Sequence, residues 1–242
     1  MCYHLSLAQN LLYLQKRFGA TFEEPDRYEP AYHRAAFSSP AHPVIADEDP
    51  QRIRLFEWGL IPRWVKTVEQ AADIRKGTYN AKAETIFQKP SFRSSIKDRR
   101  CLVLADGFFE WQHKDGKKYP YYIRLKDREA FAIAGIWDEW SSGGAVKRTF
   151  SVVTTEASPL MARIHNTKKR MPVILRREAE RHWLEKGLSP EELRPLMRPY
   201  DDGELEAYTV APLSGAGRAR DGPAVTEPHE YKELKAKQGT LD

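Results

Sequence analysis

Cys2 has the most distinctive chemical potential of any residue in this 242-residue chain. Once Met1 is removed, its thiol and a free α-amine share one residue as a 1,2-aminothiol. An α-amine has a pKa near ~7.7 against ~10.4 for lysine, so at pH 7 its neutral fraction is larger by a factor on the order of several hundred. Such an amine condenses with an aldehyde, and the adjacent thiol then closes a five-membered thiazolidine on the imine carbon at high effective molarity. On position alone, the balance favours a cysteine that stands second by chance.

Three further residues fit proton or hydrogen-bond roles. Glu110 lies among aromatics in Ala105-Asp-Gly-Phe-Phe-Glu-Trp111 on an extended segment. Burial there raises a carboxyl pKa and makes it a general acid/base near neutrality, although strand alternation equally allows Glu110 to face solvent. His165 sits in Arg163-Ile-His-Asn166, and six basic and no acidic residues fall between Arg163 and Arg177. That field disfavours the imidazolium and leaves a neutral imidazole able to relay a proton; a surface histidine beside solvated charges is the alternative. Asn80, in Asn80-Ala-Lys-Ala-Glu-Thr85, is suited to hydrogen-bond a sugar or to hold Cys2.

Aromatic and basic residues also interleave. Trp64 follows Pro62-Arg63 in a loop and can stack a base, while Arg63 and Lys82 can meet phosphates. Trp58 reads as core. The candidate nucleic-acid contacts are Arg63, Trp64, Lys82, Thr85, Trp111, Arg163, Lys168, Lys169 and Arg170.

The elements that must position these groups are mainly strands. Ile53 to Trp58, Cys101 to Ala105, Phe108 to Trp111, Tyr119 to Leu125, Phe131 to Trp137 and Thr149 to Thr154 read as an antiparallel meander, with turns at Asp115-Gly116 and between Ser141 and Gly144. Ser6 to Phe18, closed by Gly19, reads as a helix capped by Ser6; Ser158-Pro159 and Ser189-Pro190 start two more, and Arg176 to Lys186 has helical spacing. Tyr28 to Pro50 reads as an irregular, proline-rich connection with short extended pieces, and Pro172 to Leu175 as strand-like. The fold class is α+β, a curved antiparallel sheet with helices at its edge, over residues 1–212, with 213–242 a loosely held tail.

Composition bounds the rest. With 41% hydrophobic and 30% charged residues, the chain builds one core and a water-compatible surface. No apolar run reaches the ~20 residues of a membrane helix, and the start lacks a signal-peptide pattern, so a cytoplasmic location is expected. Two cysteines without paired spacing exclude a disulfide framework and make a structural metal improbable. A net charge of +5 suits a polyanion partner without requiring one.

Together, Cys2, Trp58-Gly-Leu-Ile-Pro-Arg-Trp64, Asn80 to Thr85, Ala105 to Trp111, and Ile164-His165 with Met171-Pro172 resemble the SRAP family of abasic-site-processing proteins, from Cys2 to about Ala211. The resemblance implies a β-rich antiparallel pseudo-barrel with peripheral helices. It also implies a sensor of abasic sites in single-stranded DNA; because the motifs form one site in one chain, a monomer is expected, with no cofactor and with nucleoid association when bound. Cys2 would link to the ring-opened sugar as a thiazolidine after self-removal of Met1, with an abasic-site lyase side reaction. By position, Cys2 matches the nucleophile, Glu110 the carboxylate for ring opening and Met1 removal, His165 the proton-handling histidine, and Asn80 the orienting asparagine. Lys82 stands where many members have arginine, Tyr3-His4 replaces the usual Gly-Arg, and Tyr32 to Phe37 replaces a more common asparagine-containing stretch.

Two other classes compete. An N-terminal-nucleophile amidohydrolase also uses a terminal cysteine, but it leaves the Arg163 to Arg177 cluster and the Trp64 segment without a task. A non-catalytic single-strand-binding module needs only the aromatics and cations.

Overall fold

The computed structural model of the chain describes residues 2–213 and 221–235. One sheet runs, in spatial order, β13 (Leu205–Thr209), β9 (Lys117–Leu125), β8 (Gly107–Lys114), β1 (His4–Leu7) and β3 (Ala31–Ala35), all neighbours antiparallel. The other runs β12 (Arg170–Pro172), β11 (Ala145–Glu156), β10 (Phe131–Ser142), β7 (Arg100–Ala105), β4 (Ala41–Ala46), β5 (Arg52–Trp58) and β2 (Thr21–Phe22), and β6 (Asn80–Lys82) joins β11 in parallel. A parallel contact of Thr149 and Phe150 with Glu57 and Trp58 brings β11 back to β5 and closes β5-β4-β7-β10-β11 into a five-stranded barrel. Helices lie at the periphery, so the fold is the α+β pseudo-barrel expected.

Along β7, and along β10 from Phe131 to Asp138, every residue is buried, so both strands are covered on both faces and read as nearly continuous apolar runs. Along β7, Leu102 and Leu104 join one core cluster with Leu14, Phe18 and Trp183 of the flanking helices. Cys101, Val103 and Ala105 alternate into a second cluster with Phe56, Trp58, Phe150 and Cys2.

The first helix departs from expectation. It spans Leu11–Phe18, capped by the Asn10 side chain, which accepts from the Tyr13 amide, and ended by Gly19 in the left-handed region. Ser6 is no cap. It belongs to β1, and its buried hydroxyl donates to Asp106 Oδ1 at 2.6 Å, while the Ala8 amide donates to Asp106 Oδ2 at 2.6 Å. Pairing with β3 and β8 thus extends residues whose local pattern is helical. The proline-rich connection likewise contains β3 and β4, and β4 pairs on both sides, with β5 and β7, despite Pro43.

The Asp106 anchor sits at the corner between β7 and β8, the strand that carries Glu110. At that corner a Cβ on Gly107 would lie 2.2 Å from the Tyr122 hydroxyl oxygen, on a ring that is itself buried. Gly107→Ala is therefore expected to lower unfolding stability by about 1–3 kcal/mol through overpacking, read as an earlier urea midpoint at unchanged slope. After β8, Asp115 and Gly116 both take positive φ, as the tight hairpin into β9 requires.

Within the segment past Pro212, Val225 is buried with Phe109, Tyr122 and Val210, Pro228 bridges Val210, and Glu233 pairs with Lys117 at 2.9 Å. Residues 214–220 and 236–242 of that segment lie outside the described residues. Among the described residues no helix is long and apolar enough to cross a membrane.

Candidate functional site

β1 and β8 are hydrogen-bonded neighbours, with Leu5 opposite Phe108, so the start of the chain lies against the strand that presents Glu110. Against β8 packs the helix Pro159–Ile164, started by Ser158, whose hydroxyl accepts from the Met161 amide. His165 ends that helix, and its own amide donates to the Met161 carbonyl at 2.7 Å. Here a cavity of about 630 Å³ opens, lined by Tyr3, His4, His33, Phe37, Glu110, Trp111, His113, Lys118, His165, Thr167, Lys168 and Leu213.

Cys2 is fully buried in the apolar cluster that also holds Leu5, Ala36, Phe108, Met161 and Ile164. Burial pushes its thiol pKa well above the usual range, and the Glu110 charge adds to the rise. The thiol is therefore protonated at neutral pH. Glu110 is 4% exposed, and burial raises its carboxyl from 4.5 to about 8. His165 is 7% exposed, and its imidazole is lowered to about 4, by burial first and by nearby positive charge including Arg170 after it.

His165 Nδ1 lies 2.9 Å from the Arg170 carbonyl and 3.7 Å from Glu110 Oε1. A carbonyl only accepts, so Nδ1 carries the proton and Nε2 is the basic nitrogen. An ion pair between His165 and Glu110 would raise the one pKa and lower the other; both move the opposite way. Desolvation outweighs the pairing at this separation, and at pH 7 the two are a neutral acid and a neutral base. Two buried groups whose environments drive their pKa values past each other form the pattern of an acid/base pair.

The cavity has a feature that local sequence does not signal. His4 Nδ1 and His33 Nε2 lie 2.8 Å apart in stacked rings, and Trp111 meets the His4 ring edge-on at 4.6 Å. Burial lowers both imidazoles, His4 to about 3, so the pair is neutral and shares one hydrogen bond. The residues are 29 positions apart and meet only because β1 and β3 pair.

A family model described as SOS response associated peptidase (SRAP) matches residues 1–215. The chain belongs to the SRAP family. It is 38% identical over 205 residues, 84% of this chain and 88% of the relative, to the abasic site processing protein YoqW of Bacillus subtilis. It is 31% identical over 222 residues, 79% of this chain and 63% of the relative, to the abasic site processing protein HMCES of Xenopus tropicalis. A crystal structure of a protein from Bacteroides thetaiotaomicron superposes with a TM-score of 0.87 at 37% identity, covering 95% of this chain and all of that one.

The SRAP residues expected from the sequence separate into groups. Glu110, Trp111, His165 and Lys168 line the one cavity. Asn80, Lys82 and Thr85 line another, of about 530 Å³, with Lys89 and Phe92. Asn80 is 7% exposed, and neither atom of its amide has a hydrogen-bond partner among the described residues. Tyr79, next to Asn80 in the chain, sets its ring edge-on 6.3 Å from that of Tyr3, which lines the first cavity. Trp64 is half-exposed, and Arg63 is held to Asp138 by its amide at 3.0 Å and its Nε at 3.1 Å. Arg170 forms a forked pair with Glu84 at 2.6 and 2.9 Å and also bonds the Thr154 carbonyl. Its charge is committed within the fold, whereas Arg163, Lys168 and Lys169 are exposed. Among the described residues no three His, Cys, Asp or Glu side chains are placed to hold a metal ion.

Proposed function

We propose that the protein captures abasic sites in single-stranded DNA by covalent linkage through Cys2, acting as a monomer associated with the nucleoid when bound. The observation that carries this reading is a neutral acid, Glu110, and a neutral base, His165, in one cavity beside a buried thiol at position 2. That set suits carbonyl chemistry at a terminal aminothiol.

The steps follow from the protonation states. Met1 must first leave, because only then is residue 2 an amine; Glu110 is the group assigned to that self-cleavage. Glu110 next donates a proton to the ring oxygen of the closed abasic sugar as the C1′–O4′ bond breaks and the C1′ hydroxyl proton passes to water, giving the aldehyde. The Cys2 amine adds to C1′, water is lost, and an imine forms. The Cys2 thiol then adds to the imine carbon, its proton passing to nitrogen, and the thiazolidine ring closes. The thiol is uncharged at neutral pH, so this step needs a base, and His165 Nε2 is in the required state. The same imine can lose the 3′-phosphate by β-elimination; ring closure competes with that lyase reaction and preserves the strand. Asn80, in the second cavity, has no hydrogen-bond partner for its amide among the described residues and is assigned the orienting role that its motif implies.

The test is direct: incubation with a single-stranded oligonucleotide bearing one abasic site, followed by denaturation, should give a shifted band, and an intact oligonucleotide should not. No band from the abasic substrate overturns the proposal. Phosphate contacts are tested by salt. Lys168→Ala, at an exposed lysine on the cavity rim, should lower the slope of log K against log salt by about 0.7, the value for one phosphate contact to a single strand.

A further inference from the structure

Phe37 is 62% exposed, an unusual state for a phenylalanine at the rim of a cavity whose floor holds Glu110 and His165. It is not loosely placed. Phe37 lies in the short 3-10 turn Ala36–Ser38, between a fully buried Ala36 and Ser39 in the left-handed region. The Ala36 amide donates to the Tyr3 carbonyl at 2.8 Å, and the Ser39 amide to the Ala36 carbonyl at 2.8 Å. The turn is thus tied by backbone to the residue that follows Cys2.

The ring is backed as firmly. Its centroid is 5.0 Å from that of Tyr3, tilted by 31°, and 5.9 Å from that of Tyr79, near perpendicular at 80°. His4 approaches at 5.9 Å and 68°. Three neighbouring rings thus contact Phe37, while most of its surface stays exposed beside the cavity.

An abasic nucleotide has a chemical need that such a ring meets. When its sugar enters the cavity, the adjoining base loses a stacking partner, and an aromatic face of any sequence preference can replace it. We propose that Phe37, backed by Tyr3, is the stacking platform for the nucleobase next to the abasic nucleotide. The inference rests on the DNA reading above for its ligand, but not on the covalent chemistry.

The test uses a single-stranded oligonucleotide with a tetrahydrofuran abasic analogue, which has no aldehyde and forms no imine, flanked on one side or the other by 2-aminopurine. Wild-type protein should quench the probe on one flank. Phe37→Ala should abolish the quenching and weaken binding about tenfold, the scale of one lost base-aromatic stack. Phe37→Leu, apolar without a π face, should behave like Phe37→Ala, and Phe37→Trp like wild type. Wild-type quenching and affinity in Phe37→Ala, or their full restoration in Phe37→Leu, overturns the platform. Failure of the wild type to cross-link a true abasic site would instead sink the covalent reading and leave this result standing.

Discussion

Cys2→Ala is expected to leave no denaturation-resistant adduct with an abasic oligonucleotide, at any time point that gives full yield with wild type. The loss should be complete because the substitution removes the only atom that can close the ring; the amine that remains forms an imine, which water reverses. Reducing that imine with borohydride should still trap some of the variant on DNA, separating the amine step from the thiol step. A polypeptide tag retained in front of Cys2 should be inactive in both assays, since residue 2 then has an amide and no amine. Wild-type adduct yield from the tagged protein overturns the mechanism. The same variant sorts the competing classes. A pure single-strand-binding module behaves alike with and without the thiol, and an N-terminal-nucleophile amidohydrolase releases product from an amide without DNA.

Glu110→Gln should move function and stability in opposite directions. With the proton donor gone, the cross-linking rate is expected to fall by about 10²–10⁴-fold, the usual weight of general acid/base catalysis. The wild-type rate should also decline as pH rises through about 8, where Glu110 ionises, and that alkaline limb should vanish in the variant. Stability responds by linkage. The folded-state pKa of about 8 lies above the ordinary 4.5, so between those values the folded state holds more protons than the unfolded one. Wild-type stability therefore falls as pH rises from about 4.5 to about 8, and is level above that. Glu110→Gln, which cannot ionise, should flatten the fall and unfold later than wild type at pH 8, by roughly a few kcal/mol in urea titrations. A variant less stable than wild type at pH 8 would contradict the buried-acid assignment.

The cavity also redefines the departures from the common SRAP start. Tyr3 and His4 stand where a glycine and a cation are usual, and the structure gives both a ring to pack on: Phe37 for Tyr3, His33 and Trp111 for His4. The positive charge that an arginine would bring is replaced by a neutral imidazole pair. Cations at the cavity rim are then supplied by Lys118 and Lys168 from other elements.

Much of the molecule was legible in the chain itself. Hairpins at Asp115-Gly116 and Gly143-Gly144 follow from residues that tolerate positive φ, and the Ser158-Pro159 and Ser189-Pro190 helix starts from local capping chemistry. Motif spacing around Cys2, Asn80, Glu110 and His165 sufficed to indicate the family. What local pattern could not decide was which surface each segment would meet. Ser6 reads as a helix cap until Asp106, a hundred positions later, takes its hydroxyl. Glu110 could alternate inward or outward until the helix before His165 covered its strand, and it is that burial which turns a surface carboxylate into an acid. The His4–His33 pair and the Phe37 ledge join segments about thirty residues apart, and Arg170, counted among DNA contacts by its sequence neighbours, spends its charge on Glu84. Backbone preference acts within a few residues, whereas desolvation and ring packing depend on neighbours that only the closed barrel brings together.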